Sequence, residues 1–265
     1  MKRILVYAFF VVLALSVFSA CRAGKADENT LVIGATPVPH AQLLELVSED
    51  LKEMGITLKI IEFNDYIQPN AALMAGELDA NFFQHTPYLE TNAEWMEKLA
   101  SAFGVHVEPF GLYSSKFNDV NDLPNGASIA IPNDPTNGGR ALLLLQSNGL
   151  IGLREDAGLR ATPRDVTSNP RNFRFVELEA AFLPRSLQDV DAATINGNFA
   201  LQAGFNPLRD ALIIEGAESP YVNIVVVQKG KENEGKITVL KEVLLSDKVR
   251  AYILDNYNGG VAAVF

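Results

Sequence analysis

The run Leu31-Val-Ile-Gly-Ala35, closed by Thr36-Pro-Val-Pro39, decides the fold. A short apolar run ended by prolines predicts a buried strand. A helix is expected from about His40, because Leu43, Leu44, Val47, Leu51 and Met54 follow the helical period and Gly55 stops it. Thr57 to Phe63 alternates like a strand, and Tyr66 to Ala75 reads as a helix ended by Gly76. Leu78 to Phe82 is strand-like, and Thr86 to Ala100 predicts a helix with Pro87 in its first turn. Strand alternating with helix is the pattern of an open α/β sheet.

The same pattern returns further along. Val105 to Ser114 and Ala127 to Ile131 predict strands, followed by the loop Pro132-Asn-Asp-Pro-Thr-Asn-Gly-Gly139 and a helix over Arg140 to Asn148. Strands are expected at Phe173–Leu178, Asp191–Ile195, Ala211–Ile214 and Tyr221–Gln228, with helices at Glu179–Leu187 and Gly197–Ala203. Two helices close the chain, one facing Ile237, Leu240, Val243 and Leu244 inward, the other Val249, Tyr252 and Ile253. Two α/β units joined near 110 and near 223 leave a cleft between them, where ligands favour domain interfaces and the carboxyl ends of strands. The expected division is residues 30–115 with 219–265 in one lobe and 116–218 in the other.

Before that body stands a leader. Met1-Lys2-Arg3 precedes an apolar run from Ile4 to Phe18, then Ser19-Ala20 and the only cysteine, Cys21. A cationic start, a short apolar stretch and small residues describe a secretory signal over 1–20, and the run is short for a membrane span of about 20 residues. Cysteine at the cut resembles a bacterial lipoprotein signal, although Phe18 stands where leucine is usual; an ordinary secretory signal is the other reading. On the first reading Cys21 carries lipid and residues 21–29 are a polar tether. A lone cysteine excludes an internal disulfide. The chain's net charge is −10, and its leader holds two cations, so the remainder is more acidic still. That argues against nucleic acid, which needs a basic surface, and leaves lipid as the means of membrane attachment.

The residues contain no Gly-x-Ser-x-Gly elbow, P-loop, dinucleotide glycine pattern or metal-like histidine spacing, so neither enzyme nor cofactor has a constellation to stand on. Asp189 and Asp191 read as a solvated strand edge. The loop Asn133-Asp-Pro-Thr-Asn-Gly-Gly-Arg140 joins a strand to a helix, where backbone N–H groups favour an anion. There Arg140 can grip a carboxylate through two parallel hydrogen bonds; a helix-start loop with a surface arginine fits the composition equally. Asn196 follows an apolar strand and Asn223 interrupts one, so each amide either meets a ligand or is satisfied within a sheet. Phe83 and His85, with Tyr66 upstream, can line an apolar slot; Phe82 and Trp95 read as packing, and His40 as structural or rim.

Val-Ile-Gly-Ala-Thr-Pro at 32–37, Ala-Asn-Phe-Phe-Gln-His-Thr-Pro at 80–87, the loop at 133–140, Ser-Pro-Tyr-Val-Asn at 219–223 and Tyr-Asn-Gly-Gly at 257–260 together resemble the methionine-binding (NlpA-type) lipoproteins of bacterial ABC importers. The resemblance implies a two-lobed periplasmic-binding-protein fold, type II-like, with two crossing strands. It implies a lipid-anchored, non-enzymatic receptor outside the cytoplasm that holds L-methionine or an analogue and delivers it to a permease and ATPase. It places the α-carboxylate on Arg140, with help from Asn137. It places Asn196 and Asn223 on the ligand's ammonium and carboxylate, and Tyr66, Phe83 and His85 around the thioether. A methionine-containing dipeptide, another small apolar amino acid, or an adhesin that has lost transport stay open as alternatives. Gly138-Gly139 departs from the family pattern, which often has a bulkier first residue, and is expected to leave extra room.

Overall fold

The computed structural model describes residues 29–216 and 219–265. The signal at 1–20, Cys21 and all but the last residue of the expected tether lie outside them. In chain order the elements are β1 (Thr30–Ala35), α1 (Gln42–Leu46), α2 (Ser48–Glu53), β2 (Thr57–Glu62), α3 (Gln68–Met74), β3 (Ala80–His85), α4 (Thr86–Leu89), α5 (Ala93–Lys98), β4 (Leu99–Val107) and β5 (Gly111–Tyr113). There follow β6 (Ser128–Pro132), α6 (Pro135–Ser147), β7 (Gly152–Leu153), β8 (Val166–Ser168), β9 (Arg174–Leu178), α7 (Leu183–Ser186), β10 (Ala192–Ile195), α8 (Gly197–Gln202), α9 (Pro207–Asp210) and β11 (Ile213–Ile214). The chain closes with β12 (Val222–Gln228), α10 (Gly235–Leu244), α11 (Asp247–Tyr257) and β13 (Ala262–Ala263).

These strands build two main sheets. The first has the order β13-β4-β12-β3-β1-β2 and the second β11-β5-β10-β6-β9, with β7 and β8 a small separate pair. The chain therefore passes between sheets twice, from β4 to β5 through residues 108–110, and from β11 to β12. The strand expected over Val105–Ser114 is two strands in different sheets, broken at Glu108-Pro109, where proline removes a ladder donor.

Strand β12 shows why the run from Ile224 to Val227 is unbroken in apolar character. Val225 and Val227 face the core of Leu31, Ile33, Leu44, Leu51, Leu240 and Ile253, while Ile224 and Val226 face Leu73, Leu78 and Leu99 on the opposite side. Both faces of the first sheet are covered, so alternation gives way to continuous hydrophobicity. The second sheet is covered likewise, Ile129 and Ile131 on one side and Ala130 on the other. Full burial of each such Leu, Ile or Val side chain contributes about 1.5–3 kcal/mol.

Several expectations change in detail. The helix from His40 is interrupted at Val47, and its last periodic residue, Met54, is exposed. The helix expected over Thr86–Ala100 is two short helices, because Asn92 caps a new start through Glu94 N–H and Trp95 N–H. Helix α6 begins at Pro135, not Arg140. Asp134 accepts from the Asn137 N–H as N-cap, and proline at the first helical position supplies a fitting φ. Gly138 and Gly139 are thus helical. A Cβ on Gly138 would lie 2.8 Å from the Pro132 carbonyl oxygen, and one on Gly139 would lie 2.3 Å from that of Leu159. The glycines allow close packing against backbone and add no room to the ligand cavity, contrary to the sequence expectation. Asp191 is more than a solvated edge: its carboxylate accepts from Ser128 N and Oγ, each at 2.8 Å, tying β10 to β6.

Candidate ligand cavity

Where β3, β6 and β10 end and β12 begins, their side chains meet around a narrow cavity. Its wall holds all seven residues singled out from the sequence: Tyr66, Phe83 and His85 beside Asn137, Arg140, Asn196 and Asn223. It also holds Gln84, Tyr88, Glu108, Gly197 and Asn198. The strand ends explain the convergence. β1 pairs with β3, and β10 with β6, in parallel, so the following loops and helix starts emerge on one side.

Arg140 is 4% exposed and its guanidinium is held on several sides. Nε donates to Glu215 Oε1 at 3.0 Å, and Nη2 donates to Glu215 Oε2 and to the Glu108 carbonyl oxygen. Its plane stacks on the Tyr221 ring at 4.0 Å and the Phe110 ring at 5.0 Å. Two parallel bonds from the Nε/Nη2 edge are therefore already made to a protein carboxylate. Both Nη2 hydrogens are engaged as well, so the two-bond grip expected from the sequence is not free. Nη1 is the nitrogen with no partner among the described residues.

Asn137 is saturated by protein. Its Nδ2 donates to both oxygens of Asp134 at 3.0 Å, and its Oδ1 accepts from Asn196 Nδ2 at 2.8 Å and His85 Nε2 at 3.2 Å. It organises its neighbours rather than presenting a free group. His85 Nδ1 accepts from the Tyr88 N–H at 3.1 Å, so Nε2 carries the hydrogen that reaches Asn137. Burial, with the nearby Arg140 cation, lowers His85 to about 3, so the ring is neutral and serves as wall. Two amide atoms are buried without partners in the described structure: Asn196 Oδ1, an acceptor, and Asn198 Nδ2, a donor. Each buried orphan costs about 1–3 kcal/mol unless something bonds to it.

Asn223 sits beside a bulge in β12 and faces His85 of β3 and His106 of β4 in register. Its Oδ1 takes the His40 Nε2–H at 3.1 Å, and its Nδ2 has no partner among the described residues. His40 is fully buried, not at the rim, with Thr36 Oγ1 bonded to its Nδ1 at 2.8 Å. Beside it lies Glu108, whose Oε1 accepts from His106 Nε2 at 2.8 Å, with His40 Nε2 at 3.4 Å. Burial lowers His40 to about 4 and His106 to about 3, so both rings are neutral and neither contact is an ion pair; His106 donates to Glu108, and His40 spends its Nε2–H on Asn223. Burial pushes Glu108 up; His40, the Asn198 backbone N–H and Arg140 pull it back toward the anion.

His40, His106 and Glu108 are also the one group among the described residues that could hold a metal ion. The 2.8 Å separation of His106 Nε2 and Glu108 Oε1 is a hydrogen bond, shorter than the spacing of two ligands around a tetrahedral ion (about 3.3 Å). The three form a bonded network in this structure.

Part of the cavity wall is aromatic. Tyr66 and Phe83 lie 5.9 Å apart between centroids, Tyr66 and Tyr88 5.9 Å, and Phe83 and Tyr88 6.0 Å. Tyr66 donates to Asn198 Oδ1 at 2.5 Å, and Tyr88 to the Tyr66 carbonyl oxygen at 2.8 Å. Sequence reading passed over Glu108, Tyr88 and Asn198. Glu108 had a signal: an acid between apolar stretches, Val105-His-Val and Pro109-Phe-Gly-Leu-Tyr113, at a connection between sheets. Tyr88 and Asn198 had none, since each becomes a wall residue only through helix starts at 86 and 197.

Known proteins supply the remaining context. The family model for NlpA lipoprotein matches residues 31–265. Membrane lipoprotein TpN32 of Treponema pallidum is 43% identical, covering 95% of this chain and 94% of its own. Methionine-binding lipoprotein MetQ of Bacillus subtilis is 38% identical, covering 100% and 99%. The solved structure of a nutrient-binding protein from Burkholderia cenocepacia bound to methionine superposes with a TM-score of 0.86 at 42% identity, covering 89% of this chain and 100% of that one. With its two sheets, two connections and a cavity at the strand ends, the chain belongs to the NlpA lipoprotein family and has the two-lobed periplasmic-binding-protein fold of that family.

Proposed function

We propose that this protein is a lipid-anchored, extracytoplasmic binding protein that captures L-methionine or a close analogue and delivers it to the permease and ATPase of an ABC importer. The observation that carries the reading is the polarity of the cavity. The wall pairs Arg140 Nη1 and two unbonded amide N–H groups, on Asn198 and Asn223, with the Glu108 carboxyl and the orphan Asn196 Oδ1. A zwitterion matches those groups: donors take the α-carboxylate, and Glu108 and Asn196 take the ammonium. The aromatic part, Tyr66, Phe83 and Tyr88, with the neutral His85 ring, suits a thioether, since sulfur packs favourably against aromatic rings.

The cavity's polar groups hold charge in place, which supports binding without catalysis. Phe83, His85 and Asn223 come from the first sheet, Arg140 and Asn196 from the second side of the cleft. A ligand touching both therefore favours a closed arrangement, the differential affinity that such a shift requires. The methionine bound to the Burkholderia relative and the name of the Bacillus one support the same ligand class. The lipoprotein names of the relatives support Cys21 as the lipid-bearing residue.

Calorimetric titration of protein unfolded and refolded free of carried ligand tests the proposal. Methionine is expected to bind more tightly than leucine or glutamine, and equal affinities would reject it. Mass spectrometry of the small molecule released on denaturation separates methionine from a dipeptide.

A further inference from the structure

We infer that Glu215 is a positioning residue for the ligand carboxylate: it grips Arg140 from outside the cavity so that Nη1 alone faces the ligand, and it joins that grip to both connections between the sheets. The inference rests on the proposed carboxylate role of Arg140.

Glu215 does not line the ligand cavity. It lines an outer groove with Leu143, Ser147 and Pro220, and Arg140 is common to groove and cavity. The guanidinium is thus a partition between the two. From the outer side Glu215 takes Nε–H and one Nη2–H as a fork, and the Glu108 carbonyl oxygen takes the other Nη2–H at 3.0 Å. Of a guanidinium's five N–H groups, those left for the cavity are on Nη1. The rings of Tyr221 and Phe110 stack against the guanidinium, so it cannot turn its fork inward without losing both the ion pair and the stack. Glu215 is itself fastened by Ser219 Oγ, which donates to Oε2 at 3.3 Å.

The partners come from both connections. Glu108 and Phe110 lie on or beside the passage from β4 to β5; Glu215, Ser219 and Tyr221 lie between β11 and β12. Arg140 rises from α6, which packs on the second sheet. A relative shift of the two connections moves the acceptors of Nε and Nη2 and so re-aims Nη1. Carboxylate recognition and the passages on which the two sheets hinge then share one side chain. The opposite possibility is that Glu215 competes with the ligand for Arg140, and it predicts the opposite sign.

The test compares L-methionine with L-methioninamide, which keeps the ammonium and thioether and lacks the carboxylate. Affinities for both are measured by displacement calorimetry in the unmodified protein, Glu215→Gln and Glu215→Ala. Glu215→Ala is expected to lower methionine affinity about tenfold, the loss that follows from a misaligned charged hydrogen bond. Methioninamide affinity should stay within about twofold, and Glu215→Gln, which keeps one acceptor for the fork, should fall between. An equal loss for both ligands would mean a purely structural role, and tighter methionine binding would mean competition; either overturns the inference. An unmodified protein that binds no methionine would instead reject the functional reading.

Discussion

Two acids, one on each connection between the sheets, the buried Glu108 and the half-buried Glu215, are treated in opposite ways. Glu215 meets a guanidinium and gives it both carboxylate oxygens. Glu108 meets the His106 Nε2–H, the neutral His40 ring and a backbone N–H, while burial pushes its carboxyl up. A carboxylate matched to an arginine is electrostatically complete. Glu108 has no lysine or arginine in ion-pair contact among the described residues, and under the proposed function the ligand ammonium takes that place. The contrast ties each acid's part to its partners: a guanidinium fastens Glu215, and neutral donors leave Glu108 for a ligand under the proposed function.

The largest expected effect probes the neutral histidines around Glu108. Burial holds His40 at about 4, and His85 and His106 at about 3, whereas the unfolded chain titrates each near 6.5. Between those values the unfolded state binds more protons, so stability falls as pH falls, on the order of 2 kcal/mol for each histidine by pH 5. Glu108, pushed up by burial, acts in the other sense with one proton against three. Scanning calorimetry of the ligand-free protein should show Tm dropping steadily from pH 7 to pH 5; a flat profile would contradict the assignment of neutral imidazoles.

Next in size are Arg140 and Glu108 themselves. Arg140→Ala and Glu108→Gln should each weaken methionine binding by about tenfold to a hundredfold, the range for a hydrogen bond to a charged group. Titration of either variant at unchanged affinity would remove that residue from the site. Gly139→Ala sharpens the comparison from outside, by disturbing the helix that carries Arg140. Its Cβ would meet the Leu159 carbonyl oxygen at 2.3 Å, and forcing it in should cost about 1–3 kcal/mol of stability, visible as a lower denaturant midpoint. The smallest effect on binding is Tyr66→Phe, which deletes the bond to Asn198 Oδ1; it should reduce affinity by about fivefold and, by leaving that buried oxygen unpaired, lower stability by about 1 kcal/mol.

Much of this was legible in the sequence, for identifiable reasons. Strands buried on both faces announce themselves as continuous apolar runs, as Leu31–Ala35 and Ile224–Val227 do. Gly55, with φ +83, marks a helix end that glycine alone adopts easily. Asn196 and Asn223 stood out because polar residues interrupt or end such runs, and Arg140 because it closes a strand-to-helix loop suited to an anion. What escaped was set by tertiary contacts. No local pattern tells that the Arg140 fork is taken by Glu215, 75 residues away, or that Asn137 is saturated by Asp134, His85 and Asn196. The start of α6 was missed because the glycine pair reads as loop, although Asp134-Pro135 carries the cap signal. Glu108 was hidden inside an expected strand that the structure breaks in two.

The most direct test of the central claim, that Glu108 receives the ligand ammonium opposite Arg140, compares L-methionine with 4-(methylthio)butanoate, which lacks the ammonium, in the unmodified protein and in Glu108→Gln. The account predicts that the unmodified protein prefers methionine by at least about tenfold and that Glu108→Gln loses most of that preference. An undiminished preference in Glu108→Gln would contradict it.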